Sequence, residues 1–412
     1  MAKNIRISRT ELFTTTLFLI VIFLPFLILL TGHKVDAINR HENDMNSLPK
    51  FEIDKINIRD TVLPTIFMNA NESIASTDAS FNKIISFNQM CIYLLSELKY
   101  NLFREPNTQN VIVGENGWFY LGKSNTPLSL KFMNVYNQSP TEINAVVEEF
   151  NAIQKFLSGN NVDLLIVIIP DKETIYPEFY PKKYKKIHNF SQTDAFIGTL
   201  RNSTNISLLD LRSNLAAYKE SSPNYLYYKT NTHWSYTGAK VGHDAILDTL
   251  RTKGMNISRN KIFTSEKRTQ EPKDLAREIH SINFGKYDSP VLRLTNNSAI
   301  KVDTAEFLDK YNISRTQVPE SRISDLVQIY NSKYKKESSV LILGDSFSSI
   351  IVPWVADSFN TTIFIWNTNI PINLIEDYKP DVVIFAITER RIDLLKNLDW
   401  NLDKSHVTKV TG

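Results

Sequence analysis

The chain has almost no cysteine. Cys91 stands alone among 412 residues, so no internal disulfide can form. Without a CxxC or a cysteine–histidine cluster there is no zinc-binding pattern, and no metal is expected. Its apolar neighbours Met90, Ile92 and Leu94 make Cys91 core filler rather than a nucleophile. An excess of one charge is missing too. Forty-seven lysines and arginines stand against 44 aspartates and glutamates, a net charge of +3. With no basic stripe and no recognition motif, nucleic acid is excluded as a partner. No repeat or low-complexity tract appears. What is present is a globular composition, 42% hydrophobic and 22% charged, long enough for one large α/β domain with accessories.

One long apolar run exists, from Leu12 to Thr31, and it carries no charge. At about 1.5 Å per residue it spans the roughly 30 Å hydrocarbon core of a bilayer. Pro25 within it is tolerable, because bilayer helices absorb a proline. Lys3, Arg6 and Arg9 precede the run and favour a cytoplasmic N-terminus. A cleaved signal peptide is the competing reading, but its apolar region would be shorter, and Leu29–Lys34 is a poor cleavage site. The expectation is a single-pass anchor in the cytoplasmic membrane, with the body in the periplasm or outside the cell.

The rest divides by pattern. Residues 1–11 form a cytoplasmic tail, 12–31 the transmembrane anchor, and 32–105 a polar membrane-proximal linker ending in a helix over 81–103. Residues 106–412 form the catalytic domain, with an insertion at about 254–336 that breaks the pattern. Val111–Tyr120 reads as strand, turn and strand around Asn116-Gly117. Helical spacing marks 143–157, 196–201 and 238–252. Near-continuous apolar runs at 162–169, 339–343 and 381–387 are what strands buried on both faces require. Shorter strands are expected at 206–211 and 361–366, and a hairpin around Asn296-Asn297 within 291–302. The class is α/β, a three-layer α/β/α arrangement with a mainly parallel sheet.

Chemistry concentrates in two places. The run Val340-Leu-Ile-Leu343 ends on Gly344-Asp-Ser346, a sharp turn outside the carboxyl end of a strand, where open α/β sheets place reactive groups. Gly344 permits the turn, and a helix expected from about Ser348 points its first N–H groups at the hydroxyl. The backbone at Gly344 and Ser346 is the expected oxyanion site. Ser346 needs a base. Among seven histidines, His233 is the best candidate, set among Trp234, Tyr236, Tyr227 and Tyr228. Residues i and i+2 of an extended segment share a side, so Asn231 can orient the imidazole. Asparagine accepts the Nδ1–H bond but brings no charge. Three readings stay open: a slower dyad, a carboxylate from elsewhere (Asp210 or Asp171), or a degenerate site.

These residues resemble the alginate O-acetyltransferase family of SGNH-like proteins. The resemblance covers roughly 81–253 and 337–395 and rests on Val111–Tyr120, Ile169–Tyr176, Thr230–Trp234, Gly344–Phe347 and Thr388–Arg390. It implies an SGNH hydrolase-like fold, a serine nucleophile at Ser346, a histidine base at His233 and an acid at position 231. There this chain departs from the family's Asp-x-His-Trp pattern. It further implies an extracytoplasmic enzyme acting on a polysaccharide beside a membrane-bound O-acyltransferase that supplies acetyl groups. Lys172 and Arg390 each follow a long strand and could line the cleft, or form rim salt bridges with Glu173 or Glu389. Trp234 could stack on a sugar or fill the core, while Trp118 and Tyr120 read as packing anchors.

The function expected is a membrane-anchored O-acetyltransferase that modifies a bacterial exopolysaccharide or cell-envelope glycan through a serine acyl-enzyme, with no cofactor. The alternatives are a glycan acetyl esterase and, because of Asn231, a non-catalytic scaffold or glycan-binding subunit.

Overall fold

The computed structural model describes residues 92–398 apart from 93–94, 97–98, 101, 107, 124–125, 137, 258–262, 271–273, 280–286, 312–322 and 368–371. The expected anchor at 12–31 and most of the linker lie outside the described residues. Among the described residues no helix is long and apolar enough to cross a membrane. The chain divides into two compact units, residues 1–107 with 279–283, and 108–278 with 284–412. In the first, the described residues between 92 and 103 are helical. The candidate site lies wholly in the second.

That unit opens with the expected hairpin. β1 (Val111–Val113) pairs antiparallel with β2 (Phe119–Leu121). The link between them needs left-handed backbone at Asn116 (φ 54°) and Gly117 (φ 77°), which asparagine and glycine tolerate best. Its main sheet has seven strands. β3 (Asp163–Ile169), β4 (Ser207–Asp210), β9 (Val340–Gly344), β10 (Thr361–Ile365) and β11 (Val382–Thr388) run parallel in the order β4-β3-β11-β9-β10. β8 (Val327–Ser332) and β7 (Ala299–Val302) then add antiparallel at one margin. The sheet is therefore mixed, with a parallel centre.

Alternate side chains explain the layers. Leu165, Val167, Ile169, Ile342 and Ile384 face the helices Leu211–Ser221, Tyr236–Thr252 and Ser346–Ala356. Leu164, Ile166, Ile168, Leu341, Leu343 and Phe385 face Pro140–Gly159, Gln192–Ser203 and Ile372–Tyr378. Each fully buried large side chain contributes roughly 1.5–3 kcal/mol over exposure. The Pro140–Gly159 helix starts on a capping box, with Ser139 Oγ accepting from the Glu142 N–H and Glu142 from the Ser139 N–H.

Three expectations need correction. The strands flanking Asn296-Asn297 do not form a hairpin. β6 (Tyr287–Leu294) pairs with β5 (Phe263–Gln270), and β7 pairs with β8. Residues 254–336, expected to interrupt the α/β pattern, supply β7 and β8 to its main sheet. The helix after the serine turn begins at Ser346 itself, because the capping residue is Asp345.

Candidate active site

The histidine loop is a tight reversal. Tyr227 and Trp234 form an antiparallel bridge, the Tyr228 N–H donates to the His233 carbonyl at 3.2 Å, and the Ser235 N–H donates to the Leu226 carbonyl at 2.8 Å. Lys172, just after β3, fixes the loop from below. Its Nζ donates to the carbonyls of Tyr228 (3.0 Å), Lys229 (3.1 Å) and Asn231 (2.9 Å). Three N–H groups meet three acceptors. The ammonium also sits 5.6 Å from the Trp118 ring centroid and 5.1 Å from that of Tyr120, a cation–π arrangement. Burial pushes the lysine pKa down to about 7.

The serine arrives from the sheet. Gly344 closes β9 beside Ala386 of β11. A Cβ there would stand 2.4 Å from Ser348 Oγ and 2.9 Å from the Ala386 carbonyl oxygen, so only glycine fits. Asp345 then caps the helix. Its Oδ1 accepts from the Phe347 N–H at 3.0 Å, and its Oδ2 accepts from the Thr388 hydroxyl at 2.8 Å, tying the turn to the end of β11. Ser346 is the first helical residue, with its own N–H beside its hydroxyl at the helix N-terminus.

These two pieces meet. His233 Nε2 lies 2.8 Å from Ser346 Oγ, and His233 Nδ1 lies 2.7 Å from Asn231 Oδ1. The same Asn231 oxygen accepts from the His233 N–H at 2.9 Å, which fixes the amide with its oxygen toward the ring. Nδ1 therefore carries the hydrogen donated to Asn231, and Nε2 presents its lone pair to the serine hydroxyl. Phe347 packs against the imidazole, with ring centroids 4.9 Å apart. This is the geometry of a nucleophile, a base and a neutral orienter.

Beneath it lies a buried charged cluster. Arg390 Nη1 pairs with Asp171 Oδ1 at 2.5 Å, and the guanidinium carbon stands 5.0 Å from the Phe347 ring centroid. Glu389 Oε2 accepts from the Asp171 N–H at 2.8 Å and the Thr174 hydroxyl at 2.6 Å. Burial, reinforced by Asp171, pushes Glu389 up to about 7 and Glu173 up to about 8.

Several expected roles change in this setting. Trp234 is wholly buried, packed on Phe347, and has no face for a sugar. Lys172 is buried and committed to the loop carbonyls, so it positions the loop rather than lining a cleft. Arg390 pairs with Asp171, its side chain only 12% exposed, not with Glu389. Asp171 is thereby occupied, and Asp210 is held by Arg212 through bonds of 3.0 and 2.8 Å. Neither is the free carboxylate that the sequence left open. Trp118 and Tyr120 are buried, as packing anchors should be. Among the described residues no group of acidic, histidine or cysteine side chains could hold a metal ion.

The sequence reading missed two residues. Asp345 was legible as the residue before Ser346 and a good helix cap. Asp274 was not legible: its Oδ2 accepts from the Thr232 N–H at 2.9 Å and from the Thr232 hydroxyl at 2.7 Å.

The chain is 26% identical over 179 residues to the probable alginate O-acetylase AlgJ of Azotobacter vinelandii, which is 42% of each chain. The match thus spans about two fifths of that relative's length. Among solved structures, Bacillus cereus PatB1 aligns at 16% identity over 68% of this chain and 96% of its own, with a TM-score of 0.48. The O-acetyltransferase domain of Pseudomonas putida AlgJ aligns at 15% identity over 74% and 99%, with a TM-score of 0.47. The family model described as ALGX, "SGNH hydrolase-like domain, acetyltransferase AlgX", matches residues 111–316, half of the chain and with it the histidine loop. The chain belongs to this ALGX family of SGNH hydrolase-like domains.

Proposed function

We propose that this protein is a membrane-anchored O-acetyltransferase that modifies an extracytoplasmic polysaccharide through an acetyl-serine intermediate. The observation that carries the proposal is the 2.8 Å contact between His233 Nε2 and Ser346 Oγ. The names of the relatives, alginate O-acetylases, support acetyl transfer to a polysaccharide. The charge-free run Leu12–Thr31 supports the anchor and the location.

In the first half-reaction Ser346 Oγ attacks the acetyl carbonyl carbon as its proton passes to His233 Nε2. The collapsing tetrahedral species breaks the bond to the donor, and the imidazolium returns that proton to the leaving group. In the second, a sugar hydroxyl attacks the acetyl-serine, again losing its proton to His233. The sugar ester forms, and Ser346 Oγ recovers its proton as it leaves. The Ser346 N–H at the helix N-terminus is placed to donate to the oxyanion in both halves. A membrane-bound O-acyltransferase is the proposed source of acetyl groups. Asn231 orients the ring without stabilising its charge.

The full chain with a chromogenic acetyl ester tests the serine. Ser346→Ala is expected to lower turnover by at least about 10³-fold, and mass spectrometry should find acetyl groups gained by an added oligosaccharide only with the parent protein. Equal turnover in the variant would remove the nucleophile and return the chain to a scaffold or glycan-binding role.

A further inference from the structure

Asn231 brings no charge to His233, and a carboxylate stands one hydroxyl away. Thr232 Oγ1 lies 3.2 Å from His233 Nδ1 on one side and 2.7 Å from Asp274 Oδ2 on the other. The carboxylate is acceptor-only, so the Thr232 hydroxyl hydrogen must point at Asp274. That orientation turns an oxygen lone pair toward Nδ1–H, which is shared between Thr232 and Asn231 Oδ1 at 2.7 Å. The second bond of Asp274, from the Thr232 N–H at 2.9 Å, fixes the carboxylate in place.

Resting on the acetyl-serine reading above, we propose that Asp274, acting through Thr232, supplies His233 with the negative charge that Asn231 cannot. Asp274 and Thr232 are positioning residues in this scheme, since neither touches the reacting atoms. The need for them follows from the surroundings. Lys172 holds the Asn231 carbonyl, and Arg390 stacks on the Phe347 ring that also carries the imidazole. Arg390, and Lys172 whenever it is protonated, oppose formation of an imidazolium. The nearby anions are already engaged, Asp171 with Arg390 and Asp345 with the Phe347 N–H and Thr388. Asp274 is the carboxylate that acts on the far ring nitrogen. It comes from the stretch between the Tyr236–Thr252 helix and β7, which gives that stretch a part in the chemistry.

The experiment is a histidine titration of the full chain, labelled with ¹³C-histidine, the His233 signal being assigned by its loss in His233→Gln. A carboxylate stabilises imidazolium and raises its pKa. Asp274→Asn keeps the acceptor oxygen for Thr232 but removes the charge. It should lower the His233 midpoint by roughly half a pH unit, the effect of an exposed charge near the ring. Turnover of the acetyl ester should fall about tenfold with KM little changed, a small part of the ~10⁴ lost when a direct triad aspartate becomes asparagine. In an Asn231→Asp background the same change should move neither quantity appreciably, because position 231 then carries the charge. An unmoved midpoint in Asp274→Asn overturns the proposal, and so does lost turnover without a midpoint shift, which would mark a purely structural role. Ser346→Ala separates this from the reading beneath it: retained turnover there removes the acetyl-serine, whereas the His233 midpoint answers for Asp274 alone.

Discussion

Glu173 is an acid held where an acid should not be. Burial, reinforced by Asp171, pushes its pKa up to about 8 from an ordinary value of 4.5. A folded pKa above the unfolded one means that the folded state holds the extra proton between those values. Stability is fully present below about 4.5 and is lost as pH rises through about 8. Thermal unfolding should therefore show a falling Tm from pH 5 to 7, with Glu389 acting in the same sense. Glu173→Gln should flatten that slope and gain roughly 1–2 kcal/mol at pH 7 relative to the parent. An unchanged slope would place Glu173 in contact with water. The residues that touch each other locally were legible from sequence: His233 and Asn231 share one turn, and Ser346 ends an apolar run. Asp274 was not, and neither was the loop-positioning role of Lys172. A bond between positions 232 and 274 is made by folding alone, and a lysine reads as exposed until its aromatic floor, Trp118 and Tyr120, is known.

The strand–turn–helix from Val340 to Ala356 depends on one missing Cβ. Gly344→Ala brings a methyl against Ser348 Oγ and the Ala386 carbonyl, so β9 must separate from β11 or the helix must shift. A loss of about 1–3 kcal/mol is expected, together with most ester turnover, because Ser346 moves with the helix. Gly117→Ala is the control: the space there is open and only its positive φ is strained, so about 1 kcal/mol should be lost with turnover intact. Denaturant midpoints and ester kinetics on the two variants would separate a site effect from a general one. At this scale, legibility followed hydrophobicity. β3, β9 and β11 are buried along nearly their whole length and were found within a residue or so. β7 and β8 carry polar or half-exposed side chains and lack that signal, so the margin of the sheet stayed hidden.

For the whole molecule the proposed anchor sets the prediction. The full chain should sediment with membranes and resist an alkaline carbonate wash. A chain lacking residues 1–31 should stay in the supernatant and keep its ester turnover; a full chain that washes off would remove the proposed anchor. The α/β class was legible because alternation of apolar runs and amphipathic helices survives in sequence. The mixed pairing was not, because strand order is decided by which edges meet. That order has a consequence for synthesis. β11, which follows the other described strands of its sheet in the chain, is the partner that β3 and β9 share. Until Thr388 has emerged, two greasy ribbons lack the neighbour that joins them, so the parallel centre of the sheet must wait for its last strand. A nascent chain crossing a membrane, as proposed above, would stay threadable for as long as that strand is missing.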